Sequence, residues 1–257
     1  MRTRLLALAL CCAAHPAAAQ LTTTYTGTQL AGDKEVPASA QFLLEQGRVA
    51  MVMKGSRSSR MLFDEKEQVL HVVSDDDRTY FDLDKKTGGR GDPMAMMQKQ
   101  LEQLPKEQRA AAEQMMKGMM ASASQTPPLT YVWSHEKKTI AGYDCTRVDG
   151  MRGEAKVTEY CGSTSDDFKM SDEERKTMLD MQGYLRNFTI MVKSSDDATR
   201  AFQWDTNVDG YPVLTRCYVN GKMTLELQLE SVNRKPISHD VFELPKGYKR
   251  MDLPGSK

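Results

Sequence analysis

The sequence predicts an exported α+β protein built on an antiparallel sheet, and three features support this prediction. Residues 1–19 have the layout of a secretory signal peptide. Residues 22–83 fall into short runs rich in β-branched and alternating apolar residues, with turn residues between them, which is typical of an antiparallel meander. Residues 94–120 and 171–192 carry helix-forming residues and helical spacing instead.

The first segment, MRTRLLALALCCAAHPAAAQ, predicts export through a cleaved signal peptide. Arg2 and Arg4 form its positive region, residues 5–14 form a short apolar core, and the small residues ending at Ala19 form a cleavage site. The mature chain is then 20–257, which we expect to fold as a single domain. The predicted location is the periplasm or the extracellular space.

The sequence disfavours both lipid anchoring and a membrane-spanning helix in the mature chain. Lipid anchoring through Cys11 or Cys12 is the weaker alternative, because neither cysteine stands at the end of the apolar run. No later segment reaches the roughly 18 apolar residues that a membrane-spanning helix needs. We therefore expect no integral membrane segment after cleavage.

The mature chain contains three cysteines, and their positions predict one disulfide. Cys145 and Cys161 lie in two strand-like runs joined by GMRG (150–153), so a hairpin there brings them opposite each other. A disulfide suits an oxidising compartment. A redox role is less favoured, because no C-x-x-C motif is present to tune a thiolate. Cys217 lies in another strand-like run and is predicted to be buried.

The strand pattern of the first half is regular. LTTTYTGTQL (21–30) reads as a strand, and 41–55 reads as two strands around Gly47. Residues 57–84 read as three short strands with charged turns at 64–67 and 74–77.

A methionine-rich segment interrupts the strand pattern. Residues 93–124 are predicted to form a helical insertion, with Pro105 dividing it into two helices. Strands resume from residue 129 and continue through Cys161. The insertion therefore lies between two successive strands.

A second helix and a last hairpin follow. Ser171 and Glu174 have the spacing of a capping box, and apolar residues then recur at three- and four-residue steps along one helix face. Asn220-Gly221 is a strong hairpin turn signal between the two final strands.

Several phrases carry a family resemblance. QVLHVVSDDDRTYFDLD, KTIAGYDC, GYPVLTRCYVNGKMTLELQLESV and the closing VFELPKGYKRM resemble a family of bacterial envelope proteins related to the LolA/LolB-like lipoprotein-carrier superfamily. The resemblance covers most of the mature chain. It implies a curved antiparallel sheet, an open half-barrel covered by helices, whose concave face binds acyl chains.

The main functional hypothesis is an exported binding protein for a lipid, a lipoprotein acyl chain or another apolar ligand. Methionine suits such a surface, because its unbranched side chain adapts to irregular ligands, and burying a lipid tail gains about 25 cal/mol per Å². A closed apolar core is an equally weighted interpretation of the same residues. The predicted lining residues are Met51, Met53, Leu62, Phe63, Met178, Met181, Leu185 and Phe188.

Two alternatives remain open for the methionine-rich insertion. Thioethers select Cu(I), and two pairs of methionines stand one helical turn apart, namely Met115 with Met119 and Met116 with Met120. Exposed methionines could also scavenge oxidants. As a second alternative, the insertion is an arm that binds another envelope protein, without any small ligand.

Catalysis and nucleic-acid binding find no support in the sequence. It contains no G-x-S-x-G, H-E-x-x-H or phosphate-loop motif, and its acidic clusters fall in predicted turns. The formal net charge is +0, with no basic patch for nucleic acid. We predict a non-enzymatic protein without a resident cofactor.

Overall fold

The computed structural model describes residues 20–84, 109, 127, 129–188 and 211–251. These residues form one α-helix, α1 (Asp172–Phe188), and a short 3-10 helix (His239–Phe242). The strands, in chain order, are β1 (Gln20–Ala31), β2 (Lys34–Glu45), β3 (Arg48–Lys54), β4 (Ser58–Asp64), β5 (Val69–Ser74), β6 (Thr79–Asp84), β7 (Leu129–Ile140), β8 (Tyr143–Arg152), β9 (Ala155–Ser163), β10 (Tyr211–Val219), β11 (Lys222–Asn233) and β12 (Lys249–Arg250).

All these strands belong to one sheet of 12 strands in the order β12-β6-β5-β4-β3-β2-β1-β11-β10-β9-β8-β7. Neighbours pair antiparallel, except for the short parallel contact between β12 and β6. The first and last parts of the chain meet in the middle of the sheet, where β1 pairs with β11. The sheet is open, with β12 and β7 at its two ends.

The prediction of an α+β half-barrel covered by helices is wrong. Strands hold 63% of the described residues and helices only 12%. Twelve strands spaced about 4.8 Å apart make a sheet roughly 50 Å wide, whereas the 17-residue helix α1 is about 25 Å long. Within the described residues, the backbone of α1 comes closest to β3. The predicted helical insertion at 93–124 lies outside the described residues, apart from Arg109, which is helical.

The two faces of the sheet carry different cores, because successive side chains of a strand point to opposite faces. The main core contains the buried side of α1 and the strand residues on the same face, among them Phe42, Met51 and Leu227. A second, smaller core lies on the other face. There Phe242 joins Ala50, Leu62 and Val73, packed together with side chains of the segment that follows β11.

The hairpin turns form where the local sequence favours them. The predicted turn between β10 and β11 is present, with Asn220 at φ 51° and Gly221 at φ 77°. Both angles lie in the left-handed region that this two-residue turn requires. Gly47, at φ 74°, turns the chain between β2 and β3 at the position predicted.

The structure contains the predicted disulfide between Cys145 on β8 and Cys161 on β9. Their Cα atoms are 5.3 Å apart, and both side chains are buried. The register differs from the prediction, since Arg147 rather than Cys145 lies opposite Cys161. A bulge between Gly150 and Met151 shifts the pairing of β8 and β9. Cys217, on β10, is buried as well.

Candidate functional site

Six of the eight predicted lining residues belong to the main core, which contains residues of both α1 and the sheet. The helix contributes Met178, Met181 and Leu185, all buried. The strands contribute a buried set from β3 and β4 that belongs to the same core, namely Met51, Met53 and Phe63. Four of the six side chains are methionines, which makes this part of the interior the most adaptable in shape. We call these six residues the methionine cluster.

The other two predicted lining residues do not join the methionine cluster. Leu62 follows Met61 and precedes Phe63 on β4, so alternation along the strand points it to the opposite face. It is buried there in the second core, together with Phe242. The side chain of Phe188 lies outside the described residues.

The first half of α1 is fastened to the sheet by polar contacts. The predicted capping box is present: the Ser171 backbone N–H donates to Glu174 Oε2 at 2.8 Å, and the Glu174 N–H donates to Ser171 Oγ at 3.2 Å. Glu174 is fully buried and also pairs with Arg234. Arg234 Nη2 donates to the carbonyl oxygens of Phe168 (3.0 Å) and Lys169 (2.6 Å), so this guanidinium ties the end of β11 to the start of the helix.

The second half of α1 contacts the sheet through Tyr184. Tyr184 donates its hydroxyl to the carbonyl oxygens of Gln68 (2.7 Å) and Leu83 (2.9 Å), and its ring packs on Phe63 at 5.6 Å between centroids. Gly183 precedes it, and an interior glycine costs a helix about 1 kcal/mol relative to alanine. Tyr184 therefore holds this half of the helix against β5 and β6.

A group of buried aromatic rings borders the methionine cluster. Phe42 contacts Tyr25 at 6.2 Å and Tyr211 at 6.1 Å, and Tyr211 contacts Phe168 at 4.8 Å. Tyr25 donates its hydroxyl to the carbonyl oxygen of Pro212 at 2.9 Å. Burial raises the pKa of Tyr25 well above its usual value, with the nearby Tyr211 as a further cause. The phenol groups of Tyr25 and Tyr211 therefore stay neutral at physiological pH, so neither serves as a base there.

A row of charged side chains runs across β8, β9, β10 and β11. Asp149, Glu159, Arg216 and Glu226 lie opposite one another on β8, β9, β10 and β11. Arg147 Nη2 donates to Asp149 at 2.7 Å, and Arg216 donates to Glu159 at 2.9 Å and to Glu226 at 2.7 Å. We call this row the charged ladder.

The pKa values in the charged ladder point to a structural role. Burial alone raises the pKa of Glu159, but its hydrogen bond from Lys156 and the charges of Lys156, Arg147 and Arg216 outweigh this and lower it below the usual value. The pKa of Asp149 is also lowered, by Arg147 and Lys156 acting against burial. Both carboxylates are ionised at neutral pH, so they are poor candidates for a general acid.

His71 on β5 and Asp82 on β6 form a close pair in the half of the sheet that ends at β12. His71 Nδ1 lies 2.6 Å from Asp82 Oδ1, and Arg250 Nε lies 2.8 Å from Asp82 Oδ2. A carboxylate that orients an imidazole is one part of many catalytic sites. Within the described residues no serine or cysteine is hydrogen-bonded to His71, so the observed contact fastens β12 to β5 and β6.

No metal centre is found in the described part of the chain, where no three His, Cys, Asp or Glu side chains come together to hold an ion. The methionine pairs of the copper hypothesis, Met115 with Met119 and Met116 with Met120, lie outside the described residues. That hypothesis and the oxidant-scavenging one stay predictions. Among the described residues, no helix is long and apolar enough to cross a membrane.

Comparisons with known proteins leave the family open. No protein-family model matches the chain, and no curated protein is significantly similar to it. A solved structure titled "Structure of PNGF-II in C2 space group" is similar over 91% of this chain, with a TM-score of 0.40 and 8% sequence identity. The chain spans 31% of the length of that structure. The resemblance to the lipoprotein carriers stays a prediction.

Proposed function

We propose that this chain is an exported binding protein that holds an apolar ligand, such as a lipid or an acyl chain, at the methionine cluster. The observation that carries the proposal is that six predicted lining residues, four of them methionines, belong to one buried core shared by α1 and the strands β3 and β4. Methionine side chains rearrange around an irregular ligand with little strain, which a cluster of branched residues does not do.

Ligand entry is assigned by comparing the contacts that the described residues make in the two halves of α1. The first half of the helix is held by the capping box, by the buried pair of Glu174 with Arg234, and by Thr177 Oγ1, which accepts a hydrogen bond from the Gly47 N–H at 3.1 Å. In the second half, the described contacts are those of the Tyr184 hydroxyl and the buried side chains of Met181 and Leu185. We therefore place the opening motion in the second half, with Gly183 as the point where the helix bends.

The test begins with native mass spectrometry of the mature protein, purified from a periplasm without detergent. The proposal expects an added mass of lipid size that organic extraction removes. It also expects Tyr184→Phe to take up an apolar fluorescent probe faster, by roughly fivefold, because the variant lacks the one hydroxyl proton that the two carbonyl oxygens share, an interaction worth about 1 kcal/mol.

Tyr80→Phe is the matched control, because Tyr80 packs against the second core on the opposite face. It should leave probe uptake unchanged. A bare polypeptide mass, together with no probe uptake by either the parent protein or Tyr184→Phe, would show that the methionine cluster is a closed core.

A further inference from the structure

The outer strand β7 differs from the other long strands described, because among the described residues it pairs on one side only, with β8. It is also more exposed than the rest of the sheet. Leu129, Val132 and Trp133 are 36%, 55% and 49% exposed, although they are large apolar residues. Val132 and Trp133 are consecutive, so both faces of the strand show apolar surface at this edge.

The two halves of β7 have different properties. From Ser134 onward the strand carries devices that protect natural sheet edges from pairing. The register with β8 is interrupted between Trp133 and Lys137, and two lysines, Lys137 and Lys138, follow the interruption. The first half, 129–133, pairs regularly with β8 and contains no charge, proline or bulge.

The opposite end of the sheet shows what a protected edge looks like in this protein. There the two-residue strand β12 lies beside β6, and both of its residues, Lys249 and Arg250, are exposed and basic. Arg250 is fixed in place by Asp82. Among the described strands, the first half of β7 is therefore the one long apolar edge without such protection.

The chemistry of this edge selects its occupant. The N–H and C=O groups along the outer side of a strand match the spacing of another extended backbone, which can replace water as their hydrogen-bond partner. The exposed side chains of Leu129, Val132 and Trp133 favour apolar residues in that segment. Lys137 follows them, is exposed, and forms no ion pair with any described residue, whereas its neighbour Lys138 pairs with Glu136 at 3.1 Å.

We infer that the first half of β7 binds an extended segment of another polypeptide, which adds to the sheet as a further antiparallel strand. Since the partner runs antiparallel, its acidic residues, opposite Lys137, precede its apolar run. Antiparallel addition matches the pairing of β7 with β8. This inference is independent of the proposed apolar ligand, since β7 lies at the far end of the sheet from β3 and β4.

The experiment measures binding of a fluorescent synthetic peptide by anisotropy. The peptide has about seven residues, two aspartates followed by alternating valine and threonine. We expect saturable binding, weakened about tenfold by Trp133→Lys, which is the size of effect seen for a central aromatic contact. Val219→Lys is the matched control, because Val219 is 38% exposed at a distant hairpin and should leave affinity unchanged.

Two further probes distinguish strand addition from nonspecific apolar binding of the peptide. The same peptide, N-methylated throughout its apolar run, keeps its side chains but loses its donors, and it should not bind. Lys137→Glu should weaken the parent peptide by about threefold at low salt and less at high salt.

Three results would overturn the inference. The first is no binding of the peptide at about 1 mM, and the second is equal binding of the N-methylated peptide. The third is dimerisation of the chain alone, measured by light scattering and abolished by Trp133→Lys, which would make a second copy the occupant of this edge.

Discussion

Glu159 and Arg216 lie opposite each other on β9 and β10, with 2.9 Å between Arg216 Nη1 and Glu159 Oε1. Glu159 is only 4% exposed, yet it is surrounded by Arg216, Arg147 and Lys156 and accepts a further hydrogen bond from the Tyr218 hydroxyl at 3.3 Å. Arg216 also donates to Glu226 on β11. The carboxylate therefore helps to hold three neighbouring strands in register.

Acid should destabilise the protein partly through Glu159. Its pKa is lowered in the folded state, so its stabilising contribution is fully present above the unfolded value of about 4.3 and is lost as pH falls through the lower folded value. Glu159→Gln should lower the free energy of unfolding at pH 7 by about 1–2 kcal/mol, because an amide replaces the charged acceptor of the hydrogen bonds from Arg216 and Lys156. The loss is limited because Arg216 keeps Glu226 as a partner and Lys156 keeps Asp149. Urea unfolding from pH 7 to pH 3 measures both effects.

The matched control for Glu159→Gln is Glu154→Gln, since Glu154 is exposed in the turn between β8 and β9. Glu154→Gln should leave both stability and its acid dependence close to those of the parent protein. If the parent protein and Glu159→Gln lost stability with the same slope below pH 5, Glu159 would not contribute to acid sensitivity.

Gly27→Ala should destabilise the centre of the sheet. Gly27 lies on β1, and a Cβ atom added there would overlap the carbonyl oxygen of Glu226 on β11. That neighbour is backbone, so relief requires the β1–β11 pairing to shift. We expect a loss of about 1–3 kcal/mol in the free energy of unfolding, measured by chemical denaturation. A neutral result would mean that the two strands separate here at little cost.

Gly183→Ala, the same substitution in α1, should have the opposite sign. A Cβ atom at Gly183 meets no described atom within 4 Å, so alanine adds helix propensity without a clash in that part of the structure. We expect a gain of up to about 1 kcal/mol in the free energy of unfolding. If the helix bends at Gly183 to admit ligand, the variant should also take up an apolar probe more slowly. Lower stability would indicate that this position is not regular helix.

Local features of the fold were predictable from the sequence, and non-local ones were not. Alternation and turn residues predicted strands near the observed β2 to β6, and the spacing of Ser171 and Glu174 predicted the start of α1. The helical cover of the sheet came from a family resemblance rather than from the local pattern, and it was wrong. Leu62 and Phe63 are adjacent on β4, so strand alternation places them on opposite faces of the sheet. The prediction that both line one ligand site was inconsistent with that alternation.

The charged ladder shows why other site residues could not be found in the sequence. Asp149, Glu159, Arg216 and Glu226 come from four strands, and their alignment depends on the register of three strand pairs. All three pairs contain bulges or register shifts, which move the partner by a residue. No local pattern in the sequence specifies those shifts. The apolar residues at the start of β7 were visible in the sequence, but their position at an open edge was not.

Ala141→Asn should stabilise the protein. Ala141 and Gly142 form the turn between β7 and β8 with φ values of 51° and 84°, close to the 51° and 77° of Asn220 and Gly221 in the last hairpin. Alanine is strained in this left-handed region, whereas asparagine tolerates it. We expect a gain of about 0.5–1 kcal/mol, or a rise of about 1–4 °C in Tm by calorimetry. Ala155→Asn is the control, since Ala155 is exposed and has no positive φ, and it should be neutral or slightly destabilising. A fall in Tm for Ala141→Asn would show that strain at this turn is not the quantity that limits the stability of the hairpin.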